Sequence, residues 1–139
     1  LSEYMESTKG FERKNGYTET LFGRRRQFPE MKSSLPYVRA QAERMAINAP
    51  IQGTQADIIK LAMVRVDEML GKEKANGDAY LLLQVHDELV YEIREERLEV
   101  LSKKIKEIME SILTTGETRG VPIIATMKSG SDWGSMQSL

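Results

Sequence analysis

Hydrophobic and polar positions alternate between two periods along this chain. Residues 1–14 set Tyr4, Met5 and Phe11 among charges, an amphipathic helix. Asn15-Gly16 marks a turn. "YTETLFGRRRQF" then places strand-prone residues on both sides of Gly23, which reads as a hairpin closed by Pro29. "KSSLPYVRAQAERMAINAP" reads as a helix capped by Ser33 or Ser34, with Pro36 in its first turn and Pro50 breaking or bending it. A second helix is expected over "GTQADIIKLAMVRVDEML", with Thr54 as N-cap and Asp57 as its capping-box partner. Its apolar residues cover more than one face, so burial on two sides is expected.

A loop over 71–79 leads to two short apolar runs, Tyr80 to Val85 and Leu89 to Ile93, separated by His86-Asp87-Glu88. Short runs rich in Leu, Val, Ile and Tyr with a polar join predict an antiparallel hairpin. Leu98, Leu101, Ile105, Ile108 and Ile112 recur at helical spacing. After a break at Gly116–Gly120, "VPIIATM" reads as a last strand, at an edge or strand start because of Pro122. The expected fold class is α+β, a small antiparallel sheet formed by the hairpin and the C-terminal strand and covered by helices.

Composition narrows the chemistry. The 139 residues hold no cysteine and one histidine, His86, so thiolate metal sites, disulfides and multi-histidine centres are excluded. No apolar run approaches the roughly 20 residues of a membrane span, and no secretory signal is visible. A soluble, cytoplasmic protein with no membrane partner is expected. The chain opens on Leu1 in what reads as a helix already under way, as expected of a piece of a longer protein. Charge is uneven: 9–44 carries nine Lys or Arg against four Asp or Glu, a net +5, which leaves −6 for the rest of a chain of net −1. A basic segment suits a polyanion, and equally a solvated face.

Three groups of residues could carry chemistry. Asp87 and Glu88 sit on a tip between rigid strands, and hard cations such as Mg²⁺ take carboxylate oxygens. The tripeptide also reads as a plain polar turn. Arg44, Asn48 and Gln52, spaced by four, would line one helix face and offer hydrogen bonds suited to nucleic acid, or form an ordinary exposed face. Arg24, Arg25 and Arg26 suit phosphates or a solvated arm. Trp133 is expected to anchor the C-terminal tail by packing.

Four stretches together go further: "GYTETLFGRRRQFPE", "AERMAINAPIQGTQADIIKLAM", "LLLQVHDELVYEI" and "VPIIATMKSGSDW". In this order and spacing they resemble the C-terminal portion of family A DNA polymerases of the bacterial polymerase I type. The resemblance implies residues 1–34 as the end of a fingers subdomain and 35–139 as the closing part of a palm. It implies Asp87 as the metal-binding catalytic aspartate and Glu88 as an accessory acid. His86 would lie near the primer terminus, and Arg44, Asn48 and Gln52 would contact primer-template DNA in the minor groove. The implied reaction is two-metal nucleotidyl transfer from a dNTP to a primer 3′-hydroxyl, in replication or repair. Its metals, Mg²⁺ ions roughly 4 Å apart, activate the hydroxyl and stabilise the departing pyrophosphate.

The second aspartate of such a site, and the lysine and tyrosine that hold the nucleotide, are not found in this sequence, so the chain alone is expected to be inactive. A non-catalytic DNA-binding palm module is the alternative. An upstream reading frame encoding an aspartate-bearing strand would decide for the enzyme. Apolar surface exposed by a cut would make any dimer of the piece an artefact.

Overall fold

The computed structural model describes residues 2–75 and 77–139. The expected helix start at Leu1 and the loop position Asn76 lie outside the described residues. The rest is α+β, with three α-helices and three two-stranded antiparallel sheets among the described residues. It divides into two compact units, Leu1–Asp57 and Ile58–Leu139.

In the first unit, α1 (Ser2–Asn15) ends at the Asn15-Gly16 turn, where Gly16 donates its N–H to the Glu12 carbonyl. Strands β1 (Tyr17–Glu19) and β2 (Arg25–Gln27) form the expected hairpin, in register Thr18↔Arg26. Gly23, at φ +77°, supplies the left-handed step that the Thr20–Arg24 turn needs. Phe28 is buried against Ala46 and Ala49 of helix α2 (Pro36–Lys72), whose small side chains leave room for the ring. Ser33 accepts a hydrogen bond from Leu35 N–H just ahead of that helix.

Three expectations fail in α2, two of them around Pro50. Pro50 neither ends nor divides it: the two expected helices are one, of 37 residues. A proline inside a helix costs about 3 kcal/mol and a glycine about 1 kcal/mol against alanine, so the Pro50–Gly53 turn needs support from elsewhere. Thr54 is therefore no N-cap. Its hydroxyl accepts from Leu21 N–H of the hairpin turn, and Asp57 pairs with Arg24.

In the second unit, Ile59, Ala62, Val66 and Leu70 form one buried stripe along α2. The expected burial on two sides does not occur, since Val64 is 55% exposed on the opposite face. Val66 and Leu70 of the stripe meet Leu101 and Ile105 of α3 (Glu95–Glu110), and Ala79, Tyr91 and Ile93 of the hairpin β3 (Ala79–Val85) and β4 (Glu88–Ile93). The Tyr91 phenol is pushed up to about 12, by burial first and by Asp67 second. The α3 apolar period holds, except that Ile112 is buried just beyond the helix end.

The C-terminal strand does not join the hairpin sheet. Residues 121–127 pair with no strand among the described residues; only Lys128–Ser129 (β5) is a strand, and it pairs with Gln137–Ser138 (β6). A β-prone sequence becomes a strand only where a partner edge meets it, and Pro122 offers no donor. Trp133 is 54% exposed in a 3₁₀ turn, not a packed anchor. Asp132 holds that turn by accepting from Gly134 and Ser135 N–H, and the Ser135 hydroxyl, chief among its donors, lowers its pKa.

Candidate functional site

The acidic tip is fixed by the register of its hairpin. Leu81 pairs with Tyr91, but Leu83 pairs with Val90, so β3 carries one extra residue. Val90 and Tyr91 point to opposite faces of β4. The bulge thus transfers the odd-numbered side chains of β3 from one face to the other. It also brings Val85 into the ladder opposite Glu88, which narrows the turn to His86 and Asp87. Without the extra residue, Gln84 would face Glu88, and Val85 would sit in the turn.

His86 bends the chain with φ +52°, a left-handed conformation that costs a non-glycine residue about 1 kcal/mol or more. Gln84 steadies the bend by donating from Nε2 to the His86 carbonyl at 2.7 Å. His86, Asp87 and Glu88 are all exposed. Among the described residues, no cation pairs with either carboxylate and no side chain hydrogen-bonds to it. The tip therefore offers two adjacent hard-oxygen groups with their acceptor capacity unspent, held on strands. That donor set suits Mg²⁺, which takes one or two carboxylates and fills its remaining positions with substrate oxygens and water. Among the described residues, no three His, Cys, Asp or Glu side chains gather closely enough to enclose a metal ion.

The second group lies in the first unit. Arg44, Asn48 and Gln52 are exposed on the unbroken α2, at successive turns of one face. Their side chains make no hydrogen bond within the described residues, so their donors and acceptors are available to a ligand. The helix is held behind them by the Tyr4 hydroxyl, which donates to the Ile47 carbonyl at 3.0 Å, and by the Arg13–Glu43 pair at 2.9 Å.

The arginine run divides. Arg25 pairs with Glu19 at 2.8 Å and lies over the Tyr17 ring, while Arg24 pairs with Asp57 at 2.7 Å. Arg26 lies over the Phe28 ring and has no carboxylate partner among the described residues. A cavity of about 150 Å³ between the hairpin and α2 is lined by Thr18, Thr20, Arg24, Arg26 and Gln52. Sequence reading missed the Arg24, Gly53, Thr54 and Asp57 cluster. Thr54 and Asp57 carry a capping spacing, and nothing local distinguishes a helix cap from a loop anchor.

The family model of DNA polymerase family A matches residues 1–135, and the chain belongs to that family. It is 45% identical over 130 residues to DNA polymerase I of Pseudomonas aeruginosa and 44% identical over 130 residues to the thermostable DNA polymerase I of Thermus aquaticus. DNA polymerase I of Rhizobium leguminosarum is 41% identical over 133 residues. These alignments cover 94–96% of this chain, which spans only 13–15% of the length of the three relatives. A solved structure of the POL domain of Pol1 from M. smegmatis, in complex with DNA primer-template and dNTP, superposes with a TM-score of 0.78. It is 43% identical, over 87% of this chain and 20% of that one.

Proposed function

We propose that this chain is part of a template-directed DNA polymerase, the end of its fingers (residues 1–34) and the closing part of its palm (35–139). In this reading primer-template DNA and a dNTP are the partners and the protein works in the cytoplasm at the nucleoid. The single observation that carries the proposal is the hairpin tip of a family A chain, where two exposed, unpaired carboxylates are fixed by a bulged register.

Asp87 would hold Mg²⁺, with Glu88 as the accessory acid beside it. The metal, when bound, lowers the barrier to attack by the primer 3′-hydroxyl and steadies the leaving pyrophosphate. Exposure at a strand-held tip leaves both carboxylates without a structural partner among the described residues to compete for a cation. His86, at the bend, would lie near the primer terminus. Arg44, Asn48 and Gln52 would read the minor groove, whose acceptors are nearly the same for every base pair. Contacts of this kind test the shape of a pair and are indifferent to sequence.

The test is Asp87→Ala in an intact polymerase carrying this segment. Primer extension should fall by at least about 10³-fold, as losses of a metal-binding catalytic group do, while the DNA dissociation constant changes little. Extension near the unsubstituted rate would remove Asp87 from the site. If the unsubstituted intact protein binds primer-template but never extends it, the non-catalytic module is the correct reading.

A further inference from the structure

The weakest turn of α2 carries one of its most demanding side chains. Pro50 has no N–H to give the Ala46 carbonyl, and Gly53 has the freest backbone of any residue. Gln52 lies between them. On an unsupported helix, the direction of the Gln52 side chain would wander with that turn.

The structure supports the turn from outside. Arg24 donates from Nε to Asp57 Oδ1 at 2.7 Å and from Nη2 to the Gly53 carbonyl at 3.0 Å. Gly53 and Asp57 are one helical turn apart, so a single planar fork spans the turn that follows Gln52. The Asp57 side chain is 11% exposed, so the carboxylate end of the pair is sheltered, while the Arg24 side chain is 51% exposed. Next to it, Leu21 N–H donates to Thr54 Oγ1 at 3.0 Å. The Thr20–Arg24 segment is itself rigid: Thr20 Oγ1 accepts from both Phe22 and Arg24 N–H. Gly53 admits this segment at close range. A Cβ at position 53 would lie 2.6 Å from Thr20 Cγ2 and 3.2 Å from Arg24 Nη2. Gln52 lines the same cavity as Thr20 and Arg24, so a shift of the turn is felt at its side chain.

We propose that the Thr20–Arg24 turn is a splint for α2, and that Arg24 is a positioning residue that holds Gln52 in line with the minor groove of primer-template DNA. This rests on the reading of Gln52 as a DNA contact. The competing account is an ion pair that only stabilises the unit.

The experiment measures single-nucleotide extension and amide hydrogen exchange over residues 51–57, in an intact polymerase carrying this segment. Gly53→Ala separates the two accounts, because alanine is the better helix former and yet displaces the splint. It should raise KM for primer-template about tenfold and speed exchange, if the turn and not helix propensity governs Gln52. Adding Thr20→Ser, which removes Cγ2 and keeps the hydroxyl, should restore KM to within about threefold. Arg24→Met should raise KM like Gln52→Ala, and the double variant should stay within about twofold of Gln52→Ala alone.

Multiplying effects of Arg24→Met and Gln52→Ala would overturn the positioning role, as would a Gly53→Ala enzyme that Thr20→Ser does not rescue. If Gln52→Ala leaves KM unchanged, the DNA-contact reading fails and positioning falls with it. The exchange data then judge the splint by itself, and unchanged exchange in Arg24→Met overturns that too.

Discussion

Glu12 is 1% exposed, and its Oε2 has no hydrogen-bond partner among the described residues. Burial pushes its carboxyl above the usual carboxylate range, Arg13 works against this, and Glu43 adds to it. Unfolded, the same group titrates at its ordinary value. Below that value both states hold the proton, and burial carries no charge penalty. As pH rises through the elevated folded value, the native state must bury a carboxylate and stability is lost. Glu12→Gln removes the buried charge and should therefore stabilise the chain by about 1 kcal/mol at about pH 8, the low end of the cost of an unsatisfied buried charged group, and thermal melts should show the gain closing toward about pH 4. A gain that does not depend on pH would assign the effect to packing. His86 shows the opposite side of residue-scale legibility. Its identity was conspicuous in the sequence as the single histidine, but its left-handed backbone belongs to a turn whose length is set by the bulge between Leu81 and Leu83, which no local pattern announces.

At the scale of elements, the hairpin and α3 were legible because each states its period plainly: two β-prone runs with a polar join, and apolar residues every three to four positions. Their union is a matter of packing. Leu101 is fully buried among Val66, Leu70, Ile105 and the hairpin residue Ala79, so α3 clamps the base of the hairpin that bears Asp87. Leu101→Ala should cost about 3 kcal/mol in urea unfolding of the chain, the usual range for a leucine truncated in a packed core. A loss under about 1 kcal/mol would mean that the site collapses around the smaller side chain. Two elements were misread for a shared reason. Pro50 should break α2, and "VPIIATM" should pair, by local propensity alone. In α2 the splint and the tertiary anchors offset the breaker. At 121–127 no partner edge is supplied among the described residues.

For the whole molecule, the sequence sets a limit on chemistry that the structure does not lift. The tip presents Asp87 and Glu88, and among the described residues no third acid joins them. In the proposed polymerase reading, the metal site needs a second aspartate besides Asp87, so the 139-residue chain alone should add no nucleotide to a primer, whatever the Mg²⁺ concentration. Metal-dependent extension by the purified chain would contradict this. No described helix is long and apolar enough to cross a membrane. The basic charge lies in 9–44, and two of its three adjacent arginines are spent on Glu19 and Asp57, so the charge count overstates what is free for DNA.

By itself the sequence determined the family, through four motifs in order, and the candidate residues Arg44, Asn48, Gln52, His86, Asp87 and Glu88. Residue identity and spacing are local properties that a string records in full. Only the tertiary structure decided that α2 runs through Pro50, that Thr54 and Asp57 anchor a loop, and that a bulge narrows the acidic turn to His86 and Asp87. Each of these depends on groups distant in the chain meeting in space: Arg24 with Asp57, Leu21 with Thr54, Leu83 with Val90. Such contacts offset or redirect local preferences worth a few kcal/mol, and local preference is all that a pattern of neighbouring residues expresses.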